Sequence, residues 1–184
     1  MTFAERVVGA LKLDANTFED IERDPTAMGQ AVGIVALAGM AGSLGSIWRF
    51  GFGSIAFAVV IAICGYLLWS VVVWLVGTKL MPDPATSADF AETFRVIAFA
   101  SSPALLGVVS IIPLLGGFIA LLLTPIIWLW SMAAMVVAVK AVLDYTDTFK
   151  AVIVVLIGFV VYLVFWGTLM AVTFGAAMFG AMVH

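Results

Sequence analysis

Catalysis and metal binding need side chains that move protons, hold metals or attack carbonyls, and this sequence holds few of them. It contains one histidine, His184, and one cysteine, Cys64. A lone pair of such residues supplies no His/Cys ligand set for a metal, no Cys–His couple for nucleophilic work and no disulfide within the chain. No His–acid couple and no glycine-rich phosphate cradle is present either. No catalytic residue, no metal and no cofactor is therefore expected, and the chain is not expected to be an enzyme. Eight Lys and Arg against eleven Asp and Glu give a formal net charge of −3. That leaves no basic excess for counterion release, so nucleic acid is not an expected partner.

What remains are hydroxyls beside prolines, deep in apolar sequence. Ser101 and Ser102 precede Pro103, and Thr124 precedes Pro125. If the chain reverses near residues 114 and 115, both prolines lie roughly ten residues, or about 15 Å of helix, from the turn. They then share one depth near the bilayer midplane. Each removes a helix hydrogen bond and frees a carbonyl, which a neighbouring hydroxyl can satisfy. This level is a candidate kinked pocket; the alternative is that the kinks only let the two helices wrap each other. A second set is structural in type: Gly29, Gly33, Gly39, Gly42 and Gly45 permit another backbone to approach closely. They serve either packing within one bundle or contact with a partner or a second copy.

The elements that must position these residues are set by composition. The chain is 184 residues long, with 65% of them apolar and 10% charged, too apolar for a soluble fold of this size. A helix needs about 20 apolar residues to cross a bilayer core, because its backbone must be satisfied internally. Charge-free stretches and the Ile112-Pro113-Leu114-Leu115-Gly116-Gly117 break divide into spans at Ala27 to Trp48, Ser54 to Thr78, Phe94 to Ile112, Leu114 to Val139, and Ala151 to about Gly180. The expected fold is all-α: a five-helix integral membrane domain over 27–184, preceded by an amphipathic segment over 1–26.

Charge orients the spans. With the amino terminus inside, Arg6, Lys12, Arg23, Lys79, Arg95, Lys140 and Lys150 fall on the inner side and only Arg49 on the outer. That is the positive-inside pattern. It places the chain in the inner (plasma) membrane, with a cytoplasmic amino terminus and an outer carboxyl terminus. No Asp, Glu, Lys, Arg or His lies at lipid depth, Arg95 standing at the inner end of the third span, which argues against a proton-coupled pump. Arg49, between Trp48 and Phe50, reads as an outer-interface anchor.

The inner segments carry local signals. Phe3, Val7, Val8, Ala10 and Leu11 recur at helical spacing, with Glu5, Arg6 and Lys12 away from them, as in a helix lying in the interface. Asn16 reads as an N-cap with Glu19 in the first turn, and Asp24-Pro25 opens the first span. After Met81-Pro82-Asp83-Pro84, Thr86 and Asp89 supply a capping signal for a helix on which Phe90, Phe94 and Ile97 share a stripe. Gly158, Gly167 and Gly175 offer a second close-contact face on the last span.

Taken in order, these features carry a resemblance. The Asn16 to Asp24-Pro25 lead-in, the glycine-rich first span, the Ser87 to Phe94 helix feeding Ala98-Phe99-Ala100-Ser101-Ser102-Pro103, Ile112-Pro113, and Val139-Lys140-Ala141 through Phe149-Lys150-Ala151 resemble the Yip family of polytopic membrane proteins. The resemblance runs from about Asp14 to the last span and is of the prokaryotic type. It implies five membrane helices, an inner amino terminus and no enzymatic activity. In eukaryotic members it implies binding to prenylated small GTPases. Here the Asp-Leu-Tyr-Gly-Pro stretch is missing and Ala98-Phe99 stands in place of Gly-Tyr, so a small GTPase is not carried over as a partner. The expected role is a scaffold or accessory subunit, with membrane lipids and another membrane protein or a second copy as partners. The alternative is a small permease, pore or lipid-translocating protein using the Pro103/Pro125 level.

Overall fold

The computed structural model describes residues 1–112 and 115–183, apart from the side chains of Arg49, Leu169 and residues 173–183. The turn at Pro113, the Arg49 anchor, the surroundings of Gly175, and His184 therefore lie outside the described residues. The described chain is helical with no strand. Two short helices, α1 (Phe3–Leu11) and α2 (Ala15–Arg23), lead through a 3-10 turn to α3 (Met28–Ser43), a short α4 (Ile47–Phe50) and α5 (Gly53–Leu75). A π-turn over Val76–Leu80 ends α5. There follow α6 (Phe90–Phe99), a 3-10 segment over Ser102–Ile111, α7 (Gly116–Val142) and α8 (Thr148–Val183).

Pro25–Ser46, Gly53–Leu80, Gly116–Val142 and Thr148–Val172 are each long and apolar enough to cross a membrane, which makes four spans, or five where α6 and the 3-10 segment after it count as one bent span. The fifth expected span, Phe94 to Ile112, is not one continuous helix. It is α6 followed by the 3-10 segment, bent by 43° between them. The cause is Pro103, which has no N–H to give the Phe99 carbonyl. Ser102 Oγ donates to that carbonyl instead at 2.6 Å, and Ser101 Oγ donates to the Ala98 carbonyl at 2.6 Å. At the second proline the substitution fails: Thr124 Oγ1 donates to Ala120, not to Leu121, four residues before Pro125.

Burial is unevenly distributed along the helices. The core gathers α2, the first half of α3, α6, the last turns of α7 and the start of α8. Every residue from Thr93 to Pro103 is buried, so α6 is the central post of the fold, packing on α2, α3, α5 and α7. The other half of the molecule is belted by exposed apolar side chains, among them Phe52, Phe57, Val60, Leu121, Leu129, Val160 and Val164. A soluble protein cannot leave a contiguous belt of that kind in water; hydrocarbon can cover it.

Two local expectations at the amino end are corrected. The N-cap of α2 is Asp14, whose carboxylate accepts from the Asn16 N–H at 3.1 Å, so Asn16 lies inside the helix. Arg6 does not lie on an open polar face. It is 1% exposed, because α2 folds back over α1 and closes on it. The helix after the Pro-rich connection starts one residue beyond Asp89, which with Glu92 forms a reciprocal capping box. Thr86 takes no part in that cap. Its hydroxyl donates to the Leu143 carbonyl at 2.7 Å, tying the connection to the end of α7.

Candidate functional site

The five glycines of α3 and its extension divide into two groups. Gly39 faces α5: a Cβ there would stand 2.8 Å from the Ala62 Cβ and 3.3 Å from the Val59 Cα. Gly45 meets the 3-10 segment, where its N–H donates to Ser110 Oγ at 3.1 Å. Gly42 is approached by Gly107, whose added Cβ would lie 3.2 Å from the Gly42 Cα. Gly39 and Gly45 thus serve internal packing, whereas Gly42 only offers its backbone to Gly107, with nothing within 4 Å of a Cβ added to Gly42 itself. Gly29 and Gly33, one turn apart, have nothing within 4 Å of an added Cβ. With the exposed Val32, Leu37 and Met40 they form an outward face that no described element of the chain covers. On the last span Gly158 is used internally against Trp69, whereas Gly167 is open.

The second candidate is a cavity of about 350 Å³ inside the apolar belt, bounded by α5, α7, α8 and the 3-10 segment, with Gly42 of α3 at its edge. Ala120, Thr124, Ile127, Trp128 and Ser131 line it from α7, a spacing that puts them on one helical stripe. Trp69, Trp128, Phe159 and Tyr162 form an aromatic cluster at one end, with ring centroids 5.2 Å apart for Trp69–Tyr162 and 5.4 Å for Trp128–Phe159. Of the residues expected at a proline-level pocket, only Thr124 reaches this cavity. Ser101, Ser102 and Pro103 are buried in the α6 bend beside it, and Pro125 points to the exposed side of α7. The expectation failed there because both serine hydroxyls turn back onto their own helix.

A third assembly, at the end where α1 and α2 lie, went unread in the sequence. Arg6 donates to Asp20 at 2.9 and 3.0 Å, to Asp24 at 2.5 Å and to Gln30 at 2.9 Å, joining α1, α2 and α3. Arg95 from α6 donates to the Ile21 and Glu22 carbonyls at 3.3 and 2.5 Å, which caps the last turn of α2. Trp130 Nε1 donates to the Leu11 carbonyl at 2.9 Å, pinning α1 to α7. Lys150 pairs with Asp83 and lies 5.3 Å over the Tyr145 ring. The Lys150 hydrogen bond holds the Asp83 carboxyl below its usual range. Burial first, then the charges of Asp144 and Glu92, push the Glu22 carboxyl up to about 7. Spacing could have flagged Arg6 only if α2 were known to fold back over it.

None of these groups forms a nucleophile–base pair, and among the described residues no cluster of His, Cys, Asp and Glu could hold a metal ion. A family model described as the Yip1 domain matches residues 10–181. Neither a curated protein nor a solved structure matches the chain.

Proposed function

The chain belongs to the Yip1 domain family of membrane proteins, and from that premise we propose that it is a non-enzymatic membrane scaffold or accessory subunit. In this reading α1, α2 and the Lys79 to Phe90 connection lie on the cytoplasmic side of the inner membrane, and the last span ends outside. The observation that carries the proposal is the division of the α3 glycines. Gly39 and Gly45 are occupied by the chain's own elements and Gly42 lines the cavity along α7, while Gly29 and Gly33 are open on the outward face. A Gly-x-x-x-Gly pair facing lipid lets a second helix approach to backbone contact, where dispersion and weak hydrogen bonds accumulate. The partner is a transmembrane helix of another membrane protein or of a second copy.

The test is proximity crosslinking in native membranes from a photoreactive residue placed at Val32. A crosslinked band of defined mass is expected, lost in Gly33→Leu and kept in Gly167→Leu, which changes an open glycine on another helix. Proteoliposome ion flux and lipid scrambling are expected at background. Absence of any crosslink, or flux well above background, would turn the reading toward a pore or lipid-translocating protein.

A further inference from the structure

We infer that the cavity along α7 holds one acyl chain of a phospholipid, drawn from the half-bilayer that faces away from α1 and α2. This does not depend on what docks at Gly29 and Gly33.

The cavity is a consequence of the broken span. The 43° bend after α6 carries the 3-10 segment onto α3 and α7. Where that segment diverges from α5, the facing residues are Gly65, Ala104 and Gly107, too small to refill the gap. A second void of about 260 Å³ lies across Tyr66 and Tyr162, which wall both, so the gap is a seam between packed elements and not one missing side chain. Dense interiors do not keep voids of this size empty without loss of contact energy.

Its dimensions fit a chain. From Ala120 to Ser131 the α7 stripe runs about 16 Å at the helical rise, close to half of a hydrocarbon core about 30 Å thick. A volume of about 350 Å³ drawn out over that length is a slot. Its chemistry fits as well. No charged residue lines it. The Thr124 hydroxyl is already committed to the Ala120 carbonyl, and Ser110 Oγ already accepts from Gly45. The other polar groups on the wall include the Trp69 indole N–H, which has no partner among the described residues, and the Ser131, Tyr66 and Tyr162 hydroxyls, a sparse set in a mostly apolar lining and too few to hydrate a column of water. On the same helix, Leu121 and Leu129 are 71% and 62% exposed, so the medium outside the slot at that depth is lipid. One leaflet's worth of hydrocarbon, bounded by aromatic rings at its inner end, matches an acyl chain entering from the leaflet edge.

The experiment uses the full chain in phosphatidylcholine nanodiscs carrying a trace of phosphatidylcholine with a diazirine on its acyl chain. After irradiation, adducts are mapped by peptide mass spectrometry. The expected result is labelling of Trp128, Ser131 and Phe159 about tenfold denser than of the lipid-facing Leu121 and Leu122. Ala104→Phe and Ser131→Phe, which fill the slot from opposite walls, should each remove the slot adducts and leave those on Leu121. Even labelling of both sets in the wild-type chain overturns the inference whether or not the variants fold. So does slot labelling that persists in a folded Ala104→Phe protein, or labelling by a free fatty-acid diazirine and not by the phospholipid.

Discussion

The indole of Trp69 rests against Gly158: a Cβ on the glycine would stand 2.8 Å from the indole nitrogen. Trp69 is 7% exposed and its ring lies tilted by 39° against those of Phe159 and Tyr162. The contact is what lets α8 close on α5. Gly158→Ala must push a rigid, enclosed ring aside, and overpacking of that kind costs about 1–3 kcal/mol. Thermal unfolding in detergent should fall accordingly. Gly167→Ala, where nothing lies within 4 Å, should leave the transition unchanged.

Arg6 holds three helices through charged hydrogen bonds while 1% exposed. Arg6→Ala leaves Asp24 without its cation and Asp20 with only the Met1 amino group, 3.7 Å away, at a cost of about 2–4 kcal/mol. The expected signature is faster proteolysis within residues 1–26 and a lower melting temperature. Arg6→Lys keeps the charge but cannot reach both carboxylates with a planar fork, so it should rescue only part of the loss.

The Asp24 carboxyl titrates at about 2, held down by the Thr26 hydroxyl first and by Arg6 next. A depressed carboxylate contributes stability that is full above the unfolded value and disappears as pH falls through the folded one. Glu22 runs the other way. Its carboxyl sits near 7 in the folded chain, above the ordinary 4.5. The native state then binds more protons between those values, and stability falls as pH rises from about 4.5 to 7. Part of the carboxyl keeps its hydration, so the effect is about 1–2 kcal/mol. Glu22→Gln should remove that slope from a plot of melting temperature against pH and raise stability at pH 8; an unchanged slope would refute the assignment.

Tyr145, 3% exposed, donates to the Met81 carbonyl at 2.7 Å and lies 3.3 Å from that of Gly77. Tyr145→Phe leaves those carbonyls, at the end of the π-turn, short of a donor. A loss of about 1–2 kcal/mol is expected, with faster hydrogen exchange confined to residues 76–86.

Much of the fold was legible because its signals are local. Asp24-Pro25 does open the α3 span, with the carboxylate accepting from the Thr26 N–H at 2.9 Å. The break in the third span was half legible. Pro103 announces a kink, but whether the chain resumes as α-helix or as a 3-10 segment depends on what packs against it. Of the site, the Thr124 hydroxyl and the glycine set could be named in advance, but their directions could not. Gly33 and Gly39 look alike in sequence; one is open and the other touches α5.

The sequence alone determined that this chain lives in a bilayer and which stretches are long and apolar enough to cross it, because the transfer energy of a side chain and the rise of a helix belong to the residue and not to its neighbours. Only the tertiary structure decided that α6 is the buried post, that Arg6 faces inward and that a slot opens beside Thr124. Each depends on which helix arrives at a given face, through contacts between residues far apart in the chain. No local pattern encodes the direction from which a neighbour comes.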